Sequence, residues 1–239
     1  MKVSFVIPTY NCAAWINHAV QSVFEQTQPD CDLVVVNDAS TDSTKDYLDW
    51  LAKQKTAVPV QILDCKENGG RSKARNLGNN LALGDIICVL DADDYAHPDR
   101  AKKTVEKMRR GFQFIHGSAE AMDFSGTKLP PSAMDLTAHE FDLKKALEEK
   151  TNRIVHSSVA YTKEIAKRFP YSSDKELSDL GLDDWEFVLR LASEGVRMGV
   201  VLAPIVAYRV LNSSVSAQRD MEKVLAVKKK WIEKLTVCA

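Results

Sequence analysis

Three short apolar runs constrain this chain more than any other feature: Val3 to Pro8, Leu33 to Val36 and Ile86 to Leu90. Each is brief, rich in β-branched residues and uncharged, which reads as a strand buried on both faces. Helical spacing fills the gaps between them. Ile16, Ala19, Val20, Val23 and Phe24 follow the first run, with Asn11 as a candidate cap, and Thr44, Tyr47, Leu48 and Leu51 follow the second. A shorter strand at 60–63 precedes a helix whose Ala74, Leu77, Gly78 and Leu81 form a small-residue face. Pro98, read at a first-turn position, opens a fourth helix, and 112–116 is a fifth strand. This alternation predicts an α/β fold, a mostly parallel twisted sheet flanked by helices on both faces.

The rhythm weakens after residue 117. The stretch from Gly117 to Thr137 is rich in Ser, Met, Gly and Pro and reads as a long surface excursion. Helices are expected at 141–149 and 184–194, with strand character at 153–162. A last helix at 218–235 carries Met221, Val224, Leu225, Ile232 and Leu235 on one stripe, with Lys228 inside it. Two readings stand for that helix: packing on the domain with snorkelling lysines, or peripheral contact with anionic lipid. A net charge of −1 gives no long-range attraction to nucleic acid. The five cysteines contain no CxxC pair, and several fall in or beside the expected strands. They read as buried reduced thiols, which fits a cytoplasmic chain. The first residues lack the apolar core of a secretory leader, and no run approaches a membrane span, so Asn212-Ser213-Ser214 carries no weight as a glycosylation acceptor.

The polar residues that end the strands point to chemistry. The first strand ends in Pro8-Thr9-Tyr10-Asn11, the second in Asn37-Asp38, and the third is followed by Asn68-Gly69-Gly70-Arg71. The fourth ends in Asp91-Ala92-Asp93-Asp94. Two unit charges about 4 Å apart repel by roughly 1 kcal/mol in water and roughly 4 kcal/mol at an effective dielectric near 20. An acidic cluster at a strand end is therefore costly unless a cation sits there, and oxygen ligands on a tight turn suit Mg²⁺ or Mn²⁺. An isolated acidic turn also reads as a solvated helix cap. In open parallel sheets, however, ligands bind beyond the carboxyl ends of the strands, and all four clusters fall on that edge. It offers Asp38 and Asp91 to a base and ribose, Asp93 to a metal, Gly70 for close backbone approach, and Arg71, Lys73 and Arg75 to a diphosphate. Gly69-Gly70 alone also reads as a plain turn, and Arg75 alone as a solvated helix position. No P-loop, dinucleotide fingerprint or nucleophile elbow is present.

These stretches resemble family 2 glycosyltransferases of the GT-A (Rossmann-like) fold. The matching residues are Val3 to Asn11, Val34 to Asp42 and Asn68 to Gly78, continuing through Gly84-Asp85 to Asp94. The resemblance implies a metal-dependent, hexosyltransferase-like enzyme of polysaccharide biosynthesis. Its donor would be a nucleoside-diphosphate sugar, with uridine diphosphate the favoured carrier. Pro8, Thr9, Tyr10, Asn11, Asp38, Asn68, Gly70, Arg75 and Asp91 would bind that donor. Asp91 and Asp93 match the family's DxD pair for ribose and metal (Mn²⁺ or Mg²⁺), with Asp94 beside them. Leu180 to Phe187 looks like the acceptor-side motif, with Asp183 in place of Glu and Asp184 matching the catalytic base of an inverting displacement. Those two carboxylates also read as a helix N-terminus, and Trp185 as either an acceptor platform or a core residue. Arg209 belongs to a Tyr-Arg-x-His pattern whose His is Leu211 here, which removes a possible metal or phosphate contact.

On this reading residues 1–116 form a donor-binding half, 117–210 the acceptor half of the same compact domain, and 211–239 a C-terminal helix. The acceptor would be a glycan or lipid-linked hydroxyl at the inner membrane face, in cell-surface glycan synthesis. A non-catalytic sugar-nucleotide-binding or scaffold protein of the same fold is the alternative. Oligomeric state is not legible in the sequence.

Overall fold

The computed structural model of the chain describes residues 1–151, 153–211 and 220–237. The acceptor triplet 212–214, Gln218 and Cys238 lie outside the described residues. In chain order the strands are β1 (Val3–Thr9), β2 (Cys31–Asn37), β3 (Val60–Asp64), β4 (Ile86–Val89), β5 (Tyr95–Ala96), β6 (Phe114–Met122), β7 (Ala160–Thr162) and β8 (Met198–Arg209). The helices are α1 (Ile16–Phe24), α2 (Thr44–Leu51), α3 (Arg71–Leu81), α4 (Arg100–Met108), α5 (Leu143–Glu149), α6 (Lys163–Arg168), α7 (Lys175–Asp179), α8 (Asp183–Ser193) and α9 (Met221–Val237). All the strands join one sheet in the order β3-β2-β1-β4-β7-β6-β8-β5. The β3-β2-β1-β4 half is wholly parallel. In the other half β6 and β8 run parallel, while β7 and β5 pair antiparallel with their neighbours.

Alternation along the central strands explains their continuous apolarity. Phe5, Ile7, Leu33, Val35, Ile86 and Cys88 pack on one face with Ile16 and Val20 of α1, Leu48 of α2 and Val105 of α4. Val6, Val34, Val36, Ile87 and Val89 pack on the other with Ala74 of α3 and Phe187 and Val188 of α8. A strand covered on both sides has no solvent face on which to place polar residues. The small-residue face of α3 has a steric cause. A Cβ built on Gly78 would stand 2.3 Å from Cγ1 of Val6. Gly78→Val should therefore lift α3 off the sheet and cost about 1–3 kcal/mol, read as a lower urea midpoint at unchanged m-value.

Four expectations need correction. Pro98 sits in a turn before α4, because the preceding Tyr95–Ala96 pair is diverted into strand β5 against Ala207 and Val206. The fifth strand does not stop at His116 but runs to Met122 along β8, so the 116/117 boundary falls inside β6. At 153–162 only Ala160–Thr162 is strand, preceded by a single 3₁₀ turn at His156–Ser158. The inward face of α9 carries Val224, Val227 and Trp231, packed near Leu177 and Leu182, while Met221 and Leu225 are exposed. That set follows i, i+3, i+7 spacing, and Ile232 and Leu235 pack beside it near Ala146, Trp185 and Leu189, so the apolar face is the stripe read in the sequence with Val227 and Trp231 added and Met221 and Leu225 lost. Among the described residues no helix is long and apolar enough to cross a membrane.

Candidate active site

A cleft of about 990 Å³ opens beyond the carboxyl ends of β1, β2 and β4. Pro8, Thr9, Tyr10, Asp38, Asn68, Gly70, Arg71, Arg75, Asp91, Asp93, Asp184 and Trp185 all border it. Of the residues singled out in the sequence, Asn11, Lys73, Asp94, Asp183 and Arg209 do not.

Each of those exceptions has a physical reason. Asn11 adopts a positive φ of 52°, and its Oδ1 accepts from the backbone N–H of Thr41 at 2.8 Å, tying the loop after β1 to the loop after β2. Lys73 is exposed, and its aliphatic stem lies against Gly69. Asp94 is buried, and its Oδ1 accepts the backbone N–H of Arg209 at 2.7 Å. Arg209 itself donates to the carbonyls of Asp93, Asp123 and Phe124, each at 2.8 Å. It clamps the back of the acidic loop to the end of β8. Asp183 is 1% exposed, with Arg71 Nε at 2.8 Å and Arg75 Nη1 at 2.6 Å.

The residues that face the cleft form three groups. On the first side, both carboxylate oxygens of Asp38 accept backbone N–H groups, from Gly69 and from Gly70 at 2.8 Å each. Gly70 has φ 81°, a conformation open to glycine and strained for other residues. The β2 end and the Gly-Gly loop are thus one preorganised unit. In the centre, Asp91 meets Arg75 Nη2 at 3.1 Å. Burial, the largest single effect, would raise the Asp91 pKa, but the charge and hydrogen bond of Arg75, joined by the nearby His156 and Arg71, together hold the carboxyl below the usual range. Asp93 makes no ion pair among the described residues: burial, then the charge of Asp91, push it up to about 6, against a smaller opposing effect of the Arg209 charge. Asp94 is driven well up by burial and by both neighbouring carboxylates. On the third side, the first turn of α8 presents Asp184, whose Oδ1 accepts from its neighbour's backbone N–H at 2.7 Å. Trp185 is a core residue at the edge of the cleft. It is 4% exposed and packed with Ala146 and Leu189, with Lys228 Nζ 5.3 Å above its ring.

Arg75 is neither a solvated helix residue nor a free diphosphate ligand, because its guanidinium already bridges Asp91 and Asp183. Three further residues escaped the sequence reading. Arg100 is fully buried, faces the Phe5 ring and donates to the carbonyls of Val89 and Val159 at 2.6 and 3.1 Å. It anchors the end of β4 directly before Asp91. Ser157 Oγ accepts the Asp91 backbone N–H at 3.0 Å, and His156 borders the cleft beside it. Their one sequence signal is a polar triplet, 156–158, interrupting an otherwise apolar stretch.

Among the described residues no three His, Cys, Asp or Glu side chains form a ready metal cage. Leu211 presents an apolar side chain at the cleft. What remains is Asp93 with Asp91 close by. This open oxygen set fits Mg²⁺ or Mn²⁺, which bind through one or two carboxylates and complete their shell with water and substrate phosphates. The repulsion between Asp91 and Asp93, which Arg209 only partly offsets, is the feature a cation would relieve.

Comparison with known proteins places these features in a wider group. Residues 4–169 match the family model described as glycosyl transferase family 2. A putative teichuronic acid biosynthesis glycosyltransferase of Bacillus subtilis, TuaG, is 29% identical over 96% of this chain and 85% of its own length. A Nostoc glycosyltransferase is 31% identical, but the match covers 58% of this chain and 45% of that relative. Among solved structures, residues 1–349 of TarS from S. aureus, in complex with UDP-GlcNAc, superpose with a TM-score of 0.69 at 19% identity. That match covers 97% of this chain and 66% of the TarS fragment. The mannosyltransferase PcManGT of Pyrobaculum calidifontis, in complex with GDP-Man and Mn²⁺, gives 0.70 at 20% identity, over 96% of this chain and 64% of its own. At these identities the structural likeness establishes the GT-A fold.

Proposed function

The chain belongs to glycosyl transferase family 2, and we propose that its cleft moves a sugar from a nucleoside diphosphate to an acceptor hydroxyl with inversion at the anomeric carbon. The observation that carries this reading is the convergence of Asp38, Asp93 and Asp184, from three separate elements, on one cleft. The unit of Asp38 and the Gly69-Gly70 loop receives the base, and Asp91 the ribose. Asp93 would hold a divalent ion, which would supply Lewis-acid stabilisation of charge on the departing diphosphate. Asp184 removes the proton of the acceptor hydroxyl as its oxygen attacks the face opposite the leaving group. Uridine diphosphate is the proposed carrier, supported by the UDP-GlcNAc bound in TarS. The acceptor is a glycan or lipid-linked hydroxyl of a cell-surface polymer, supported by the similarity to TuaG.

The test is incubation with Mn²⁺ and, in turn, UDP-glucose, UDP-GlcNAc and GDP-mannose, measuring release of nucleoside diphosphate. Metal-dependent release from one donor is expected. Tight nucleotide binding with no turnover on any acceptor would point instead to a sugar-nucleotide-binding scaffold.

A thermal measurement checks the metal assignment. The carboxyl of Asp93 sits at about 6 in the fold, against roughly 3.9 in an unfolded chain. Between those values the folded protein holds the extra proton, so the contribution of Asp93 to stability falls as pH rises through 6. A bound cation reverses that penalty only where Asp93 is ionised. Mn²⁺ should therefore raise Tm more at pH 7.5 than at pH 5, and Asp93→Asn should remove the difference. Equal shifts at both pH values in the parent protein would place the ion elsewhere.

A further inference from the structure

We propose that His156 is a donor-contact residue, its Nδ1 accepting a hydrogen bond from a hydroxyl of the transferred sugar. The inference rests on the glycosyl-transfer reading and extends it to the sugar itself. His156 is 6% exposed and borders the cleft, and Ser157 beside it holds the Asp91 backbone. That places the imidazole next to the DxD turn, on the side of the cleft where the sugar must lie if Asp91 takes the ribose and Asp93 the ion.

The ring's hydrogen bonds are half made. Nε2 lies 2.9 Å from the hydroxyl of Tyr171, in the core. Nδ1, on the other flank of the ring, is buried and has no hydrogen-bond partner among the described residues. A buried polar atom left without a partner is costly and rare, so one on a side chain that borders a cleft marks a place for a ligand.

The tautomer follows from the chain of hydroxyls behind the ring. Tyr161 donates its proton to Oδ1 of Asn79 at 3.1 Å, and its own oxygen lies 3.3 Å from the Tyr171 hydroxyl. With the Tyr161 proton committed, Tyr171 donates to Tyr161, and Tyr171 then accepts from Nε2–H of His156. Burial, and next the nearby Arg75 charge, hold the His156 pKa well below its ordinary value, so the ring carries one proton. That proton is on Nε2. Nδ1 is left as a bare acceptor, matched to an O–H donor and unsuited to a phosphate oxygen, which has no proton to give. The chemistry therefore selects a sugar hydroxyl over the diphosphate.

Two measurements test this. In the first, binding of UDP and of the accepted UDP-sugar is compared between the parent protein and His156→Phe, by calorimetry with Mg²⁺. The UDP-sugar should bind about 3- to 10-fold more weakly to the variant, the range for loss of one neutral hydrogen bond, with UDP unchanged. Equal loss for both ligands would make His156 a support of the loop, and no loss for either would remove it from the site. In the second, the ¹⁵N resonance of Nδ1 is followed in the unmutated protein, so a poorly folded variant does not decide the matter. It should show an unprotonated nitrogen that moves on addition of UDP-sugar and stays put with UDP. A protonated Nδ1, or no response to the sugar, overturns the proposal. If no nucleotide of the uridine or guanosine series binds the parent protein, the glycosyl-transfer reading itself fails.

Discussion

Asp184→Asn should lower turnover by about 10²- to 10⁴-fold while leaving the affinity for the nucleotide sugar unchanged. That range is the usual worth of a positioned proton transfer, or about 3–5 kcal/mol of transition-state stabilisation. Asn keeps the shape of the side chain and its bond to the Trp185 N–H, but it cannot take a proton from the acceptor. The loss should therefore appear in kcat, with little change in donor binding. The neighbouring residue supplies the control. Asp183 is buried between Arg71 and Arg75, so Asp183→Asn should lower the melting temperature, whereas Asp184→Asn should not. Full activity in Asp184→Asn would move the base elsewhere. A loss of donor affinity equal to the loss of turnover would mean that Asp184 binds substrate and does not transfer a proton.

The contrast between those adjacent aspartates shows how far the sequence reaches. Asp38 and Asp93 were legible because each follows a strong apolar signal and the parallel topology brings strand ends to one edge, whereas Asp184, in the first turn of α8, was reached only through the family resemblance of residues 180–187. Strands β1, β2 and β4 were legible for the same reason that they are buried: with both faces covered, only apolar residues are tolerated. Strand β5 is two residues long, and the second half of β6 reads Ser-Ala-Glu-Ala-Met, so neither leaves a periodic trace. Side chains whose partners are remote in sequence were read without those partners, or missed. Arg209 is spent on carbonyls 85 and 86 residues away, and Arg75 on a carboxylate 108 residues away. A local pattern holds no information on such partners, so a cation beside the strand-end loops reads as free when its charge is already paired within the fold.

Arg75 is also the side chain whose removal should cost the fold most. Its guanidinium is 4% exposed between Asp91 and Asp183, and those two carboxylates, prevailing over the cost of burial, raise its pKa. A buried ion pair gives little net stability over an apolar substitute, but deleting one partner strands the other charge, at about 3–5 kcal/mol. Arg75→Met keeps the bulk and removes the charge, leaving Asp183 with Arg71 and Asp91 with no ion-pair partner among the described residues. A loss of about that size is expected from urea unfolding at pH 7, whereas Lys175→Ala, which breaks an exposed pair with Asp179, should change stability by less than about 1 kcal/mol. The pH dependence carries the sign. Arg75 holds the folded-state pKa of Asp91 below its unfolded value, so the stability that Asp91 contributes is present above pH 4 and is lost as pH falls through the folded value. In Arg75→Met the carboxyl is no longer held down, and acid should relieve the stranded charge. The gap between the two proteins should therefore be wide at pH 7 and narrow at pH 4. A gap independent of pH would assign the loss to packing against the Tyr171 ring, 5.4 Å from the guanidinium carbon, and not to charge.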